Sequence, residues 1–282
     1  GRPAPRIAPR GGRRQALLTS LPFALTGAQR RVLADVDRDL ASGEPMLRLV
    51  QGDVGSGKTI VAALAALAAI DAGWQVAVMA PTEVLAEQHL KHFTRWLEPL
   101  GVPVVWLAGK VKGKARERAL ERIAGDAALV VGTHALMQDG VRFRKLGLAI
   151  VDEQHRFGVD QRLALRDKGA GGKVVAHQLV LTATPIPRTL AMTLYADLDA
   201  SVIDELPPGR TPIRTVVLAS ERRDDVVERI RAACIEGRQA YWVCTLIEES
   251  DVLQAQDAEA THAALRAALP GMRIGLVHGR MK

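Results

Sequence analysis

The chain has 282 residues, 48% of them hydrophobic and 24% charged. That is enough apolar material for a buried core, too much for disorder along the whole length, and suited to one large or two modest domains. The longest apolar run, Ile60–Ile70, has 11 residues, about half of the ~20 needed to span a bilayer, so no membrane association is expected. The arginine-rich start lacks the apolar segment of a signal peptide. Two cysteines, Cys234 and Cys244, make neither a disulfide framework nor a zinc site, which fits a reducing, cytoplasmic compartment. The net charge of +7 invites a nucleic-acid reading. Arg2, Arg6, Arg10, Arg13 and Arg14 carry +5 of it before the first acid, however, leaving only +2 for the rest.

Residues 1–16 read as a basic linker or binding arm. A helix from Gly27 to about Ser42 follows, with Thr26 as its cap. Short apolar runs then alternate with helical stretches. Strands are predicted at Met46–Val50, Gln75–Ala80, Val104–Leu107, Ala128–Gly132, Leu148–Val151, Leu179–Leu181 and Ser201–Asp204. Amphipathic helices are predicted between several of them, such as Thr82–Leu97 and Lys114–Ala124. Strand–helix alternation predicts an α/β fold, a parallel sheet covered by helices. The stretch Leu206-Pro207-Pro208-Gly209-Arg210-Thr211-Pro212 continues neither a helix nor a central strand. It divides a first domain, 17–206, from a second, 213–282, with 207–212 as linker. In the second, strands are expected at Ile213–Leu218, Ala240–Thr245 and Arg273–Val277, and helices at Arg223–Glu236 and Ala255–Leu269. Three strands are few for a doubly wound domain, so this one looks cut short.

Gly52-Asp53-Val54-Gly55-Ser56-Gly57-Lys58-Thr59 follows an apolar strand and opens a helix, the context a phosphate-binding loop requires. Gly52, Gly55 and Gly57 let backbone amides turn toward phosphate oxygens, and the helix start adds positive potential. Lys58 then reaches the outer phosphates, and the Thr59 hydroxyl binds Mg2+. Ile150-Val151-Asp152-Glu153 ends a later apolar strand. Asp152 there can hold Mg2+, and Glu153 can orient or deprotonate an attacking water. That pairing favours hydrolysis of a nucleoside triphosphate over transfer to a hydroxyl.

Gln154-His155 extends the acid pair to Asp-Glu-Gln-His, which resembles motif II of superfamily 2 helicases. Phe23-Ala24-Leu25-Thr26-Gly27-Ala28-Gln29 resembles the segment with which that superfamily recognises adenine. The resemblance implies ATP as the nucleotide, Phe23 beside it, and a Gln29 amide paired with the base edge; an exposed residue early in a helix is the alternative for Gln29. Ala80-Pro81-Thr82-Glu83-Val84-Leu85-Ala86-Glu87-Gln88-His89 looks like motif Ia, Gly132-Thr133-His134-Ala135-Leu136 like motif Ib, and Thr182-Ala183-Thr184-Pro185 like motif III. The first two imply nucleic-acid backbone contacts at Thr82, Thr133 and His134. The third, with His155, implies coupling of the nucleotide to strand movement through Thr182 and Thr184. Each threonine can equally be a helix cap.

Longer stretches sharpen the likeness. Asp152–Arg162, Thr182–Leu190, Tyr241–Ser250 (Tyr-Trp-Val-Cys-Thr-Leu-Ile-Glu-Glu-Ser) and the closing Leu276–Lys282 strongly resemble the RecG family of ATP-dependent DNA helicases. The resemblance runs from about Leu21 to Lys282. It implies a RecA-like ATP-binding lobe followed by an incomplete second one, and branched DNA (forks, Holliday junctions) as the partner, met in the cytoplasm at the nucleoid. No stable protein partner is inferred. Phe157 is either a contact residue or a core aromatic. A wedge domain upstream, and an arginine finger and translocation hairpin downstream, belong to the family pattern but not to this stretch. The chain alone is therefore expected to be a weak or inactive ATPase. Two alternatives remain: a transcription-repair coupling translocase, which shares the Arg-Phe-Gly-Val and Thr-Ala-Thr-Pro-Ile-Pro-Arg stretches, and a nucleotide-binding module without activity of its own.

Overall fold

A computed structural model describes residues 2–9, 11–152, 165–169, 174–184, 198–205, 211, 213–244, 251–278 and 281. Contacts divide the chain into two units, Gly1–Arg210 and Thr211–Lys282. The first holds a seven-stranded sheet: β1 Leu47–Gly52, β2 Gln75–Met79, β3 Val104–Leu107, β4 Leu129–Gly132, β5 Leu146–Asp152, β6 His177–Thr182 and β7 Asp199–Ile203. Their order across the sheet is β3-β4-β2-β5-β6-β1-β7, and every pairing is parallel. The predicted α/β class is correct. The central strands β2, β4 and β6 are buried along their whole length. That is why they read as continuous apolar runs rather than as alternating ones: helices cover both faces.

Five helices belong to this unit among the described residues: α1 Gly12–Ser20, α2 Gly27–Ser42, α3 Lys58–Asp71, α4 Glu83–Leu97 and α5 Gly113–Ala124. Residues 60–69 of α3 are all buried, six of them alanines. Their small side chains let the helix lie close against β1, β2 and β5 while α1 and α2 pack on it. This explains a helix without an apolar stripe, since no face of it meets water. Helix α2 has the opposite design, with Val32, Leu33, Val36 and Leu40 buried at helical spacing. Thr26 caps it as expected, and Gln29 completes a reciprocal capping box.

Two expectations need correction. The described residues of the stretch 1–16 do not sit as a solvated linker. Ile7 is fully buried in the main core, and the Ala4 and Ile7 amides donate to the Gly43 and Leu40 carbonyls at 3.0 and 2.8 Å. The arginines face carboxylates: Arg14 binds Asp37 through two nitrogens at 2.9 and 2.8 Å, Arg13 meets Asp71 at 2.7 Å, and Arg2 meets Asp167 at 2.5 Å. Much of this positive charge is therefore answered within the unit, and apolar residues between the arginines anchor the segment. From Gly12 onward it is already helix.

In the second unit both helices form, Arg223–Ile235 and Asp251–Ala268, and Val227, Leu265 and Leu269 meet in a small core. The three expected strands do not. Residues 213–218, 240–244 and 273–277 carry no ladder among the described residues. Val217 (94% exposed) and Tyr241 (92%) face solvent. A strand is defined by its neighbour, and an apolar run without a ladder partner stays irregular.

Candidate functional site

Parallel sheets of this kind present ligand sites beyond the carboxyl ends of their strands. Register brings three predicted segments to that edge. Val50 of β1 pairs with Leu181 of β6, and Asp152 of β5 pairs with the same Leu181. Gln51 pairs with Thr182. At about 4.8 Å per strand, the Asp152 backbone lies roughly 10 Å across the sheet from β1, just before the phosphate loop begins.

The loop itself is built by its glycines. Gly55 and Gly57 have φ of +79° and +88°, in the left-handed region where a side chain is strained. Gly57 is also the cap of α3, so the α3 amides open onto the loop. A Cβ on Gly57 would come within 2.2 Å of Gln29 Nε2, and one on Gly52 within 2.5 Å of Ser56 Oγ. The Lys58 ammonium reaches back to donate to the Gly52 and Asp53 carbonyls at 2.5 and 2.9 Å. It is held at the mouth of the loop, at the start of α3. Ser56 Oγ is buried and has no hydrogen-bond partner among the described residues. A glycine cradle, a helix start, an ammonium and an unpartnered hydroxyl together form a donor set for anionic oxygen. These residues fit a nucleotide's phosphates, and Thr59 and Asp152 are the oxygen donors suited to Mg2+.

Gln29 is not the exposed residue of the alternative reading. It is 3% exposed. Its Oε1 accepts from the Thr26 amide at 2.9 Å, and its Nε2 donates to the Ser56 carbonyl at 2.8 Å. The side chain therefore pins α2 to the phosphate loop, with one amide hydrogen and one lone pair left for a base edge. Phe23 is 46% exposed, on the segment leading into the Thr26 cap. The Glu205 carboxylate accepts from the Ala28 amide at 2.8 Å. It thereby satisfies an orphan donor at the start of α2, a partner invisible to local sequence reading.

Asp152 is the last residue of β5, and its Oδ2 lies 2.7 Å from His89 Nε2 of α4. The sequence alone assigns His89 no role. The only signal was its spacing, seven residues past the cap, which returns it to the same helix face. Glu153, His155 and Phe157 lie outside the described residues.

Thr82 accepts from the Leu85 amide at 3.3 Å and caps α4; it is exposed at the edge. Lys110 pairs with Glu87 beside it, and that contact lowers the Glu87 pKa and raises that of Lys110. Thr133 is 2% exposed, and its hydroxyl is spent on capping the turn His134–Met137. The cap alternative therefore describes Thr133, and the exposed group there is His134. Thr182 is buried, and its hydroxyl accepts from the Thr184 amide at 3.1 Å. Among the described residues no helix is long and apolar enough to cross a membrane.

The chain is 64% identical over 271 residues to the ATP-dependent DNA helicase RecG of Haemophilus influenzae, covering 95% of this chain and 39% of that protein. It is 49% identical to the RecG of Bacillus subtilis, covering 94% and 38%. The chain thus spans about two fifths of the length of these relatives. A solved structure of RecG bound to a three-way DNA junction superposes with a TM-score of 0.77 at 37% identity, covering 94% of this chain and 34% of that one. Yeast Dbp5 bound to RNA and ADP BeF3 shares the fold, with a TM-score of 0.62 at 17% identity, covering 96% and 68%. The DEAD/DEAH box helicase family matches residues 26–193, and the chain belongs to that family.

Proposed function

We propose that this chain is the motor segment of a RecG-type, ATP-dependent DNA helicase that remodels branched DNA, by fork reversal and Holliday junction migration. One observation carries the reading: the glycine-cradled loop and Asp152 share one sheet edge in a chain 64% identical to a RecG. Residues 17–206 would be the ATP-binding lobe and 213–282 part of a second, at work in the cytoplasm on the nucleoid.

In this reading the loop amides and Lys58 bind the β- and γ-phosphates. Thr59 and Asp152 hold Mg2+, which neutralises charge on the phosphate oxygens when bound. Glu153 follows Asp152 in the chain and positions the attacking water, accepting its proton. Gln29 has a dual duty, holding the loop and offering its remaining amide hydrogen and lone pair to adenine. Thr82 and His134, exposed at the strand ends, touch the DNA backbone; such contacts fix register without reading sequence, so DNA shape is the recognised feature. Thr182, Thr184 and His155 relay the state of the nucleotide.

The test is nucleotide affinity. Lys58→Ala removes a charge-assisted phosphate contact, worth about 1.5–3 kcal/mol, which is roughly 10–100-fold in Kd. Titration with a fluorescent ATP analogue in Mg2+ reads it. Equal affinity in variant and parent would overturn the phosphate-loop assignment.

A further inference from the structure

We infer that His89 is a positioning residue that fixes the Asp152 carboxylate for the cation; the inference rests on the proposed reading of Asp152 as a Mg2+ ligand. His89 Nε2 lies 2.7 Å from Asp152 Oδ2, with the two side chains 8% and 15% exposed. A carboxylate cannot donate, so the imidazole carries its hydrogen on Nε2 and donates. Oδ1 remains as the acceptor not engaged by the ring.

The opposite ring nitrogen shows what the histidine is for. Nδ1 is buried without a hydrogen-bond partner among the described residues. Leaving a buried polar atom unsatisfied is costly, and an apolar side chain would fill this place without that penalty. The ring therefore serves the single bond it makes. It is also held rigidly. His89 lies on the buried face of α4 with Ala86, Phe93 and Leu97. Its ring sits 6.4 Å from that of Phe93, tilted by 48°.

The two partners are 63 residues apart in sequence but joined by short structural steps. β2 leads into α4 and pairs with β5, with Met79 beside Val151. The position of α4 on the sheet thus sets where the donor stands. A donor locked by packing removes rotamer freedom from a terminal carboxylate that otherwise turns in water. Outer partners of metal ligands act this way, and their loss typically lowers metal affinity about 10–100-fold. The role differs from those of Thr59 and Asp152, because His89 acts through the carboxylate and touches neither phosphate nor cation.

The experiment uses the full-length chain with His89→Ala and His89→Gln, since glutamine can return an N–H near the position of Nε2. Binding of a fluorescent ATP analogue is titrated against Mg2+ and, separately, in EDTA, with no turnover required. For His89→Ala the Mg2+ midpoint should rise about 10-fold, the affinity in EDTA should stay within about twofold, and His89→Gln should restore most of the midpoint. An unchanged midpoint in His89→Ala overturns the inference. So does a loss in EDTA that matches the loss in Mg2+, or a glutamine variant as defective as the alanine. Lys58→Ala is run alongside. If it binds like the parent, the phosphate-loop reading falls and takes this inference with it. If it loses affinity while the His89→Ala midpoint is unmoved, only the positioning role falls.

Discussion

Gly57→Ala tests whether the phosphate loop and α2 form one mechanical unit. The glycine has φ of +88°, where a Cβ costs roughly 1–2 kcal/mol. The new methyl carbon would stand 2.2 Å from Gln29 Nε2, 3.2 Å from Gln29 Cδ and 3.4 Å from Ile60 Cγ2. Backbone is not in the way, so Gln29 can swing aside. Doing so surrenders its bonds to the Ser56 carbonyl and the Thr26 amide, each worth about 0.5–1.5 kcal/mol net. Strain and lost bonds together give about 2–5 kcal/mol. Urea unfolding of the chain followed by tryptophan fluorescence measures the loss. A Gln29→Ala background separates the two parts. With the obstructing amide gone, Gly57→Ala should cost only its backbone strain, so the two changes should be non-additive by about 1 kcal/mol or more. Strict additivity, or a Gly57→Ala loss under about 0.5 kcal/mol, would refute the contact. Nucleotide affinity should fall in the single Gly57→Ala variant, because in the proposed reading the same cradle faces the phosphates.

Two further outcomes are expected. Ile7→Ala removes a fully buried side chain from the main core and should cost about 2–4 kcal/mol in urea unfolding; a solvated linker would give none. Burial pushes the His177 pKa below its ordinary value, opposed by the bond to the Pro5 carbonyl, and Nδ1 accepts from the Met46 amide at 3.2 Å. The unfolded chain then takes up a proton near pH 6.5 that the folded chain refuses, so this contribution is complete above about pH 6.5 and is lost as pH falls below it. Melting temperature between pH 8 and 5 should fall less steeply in His177→Gln than in the parent, and identical slopes would refute the argument.

What was legible in the sequence follows the range of the interaction that decides it. The Thr26 cap and the glycine positions of the loop are local, and both stand in the structure where the sequence puts them. The strands of the first unit carried their own apolar runs, and α3 carried its alanines. The N-terminal arginines look unanswered in the sequence because their partners are distant in it. Asp37, Asp71 and Asp167 lie 23, 58 and 165 residues away from the arginines they meet. Nothing near Arg14 announces that its guanidinium is answered, and only the folded sheet brings the acids there. The same holds for His89 and Asp152, and for Gln29, whose bond to the Ser56 carbonyl spans 27 residues. A resemblance to adenine-reading segments pointed to Gln29, but only the fold shows that the amide is already committed to the loop. The expected strands after Pro212 fail for the complementary reason. Apolar residues favour a strand, but the ladder belongs to two segments at once. Ile213 and Val217 have a strand's composition and no neighbour among the described residues. Composition therefore predicts burial only where a partner exists. At the candidate site those partners come from other elements: α4 supplies the donor for Asp152, and α2 supplies the brace for the loop. A change in either helix should accordingly alter phosphate or Mg2+ binding without touching a residue of the loop.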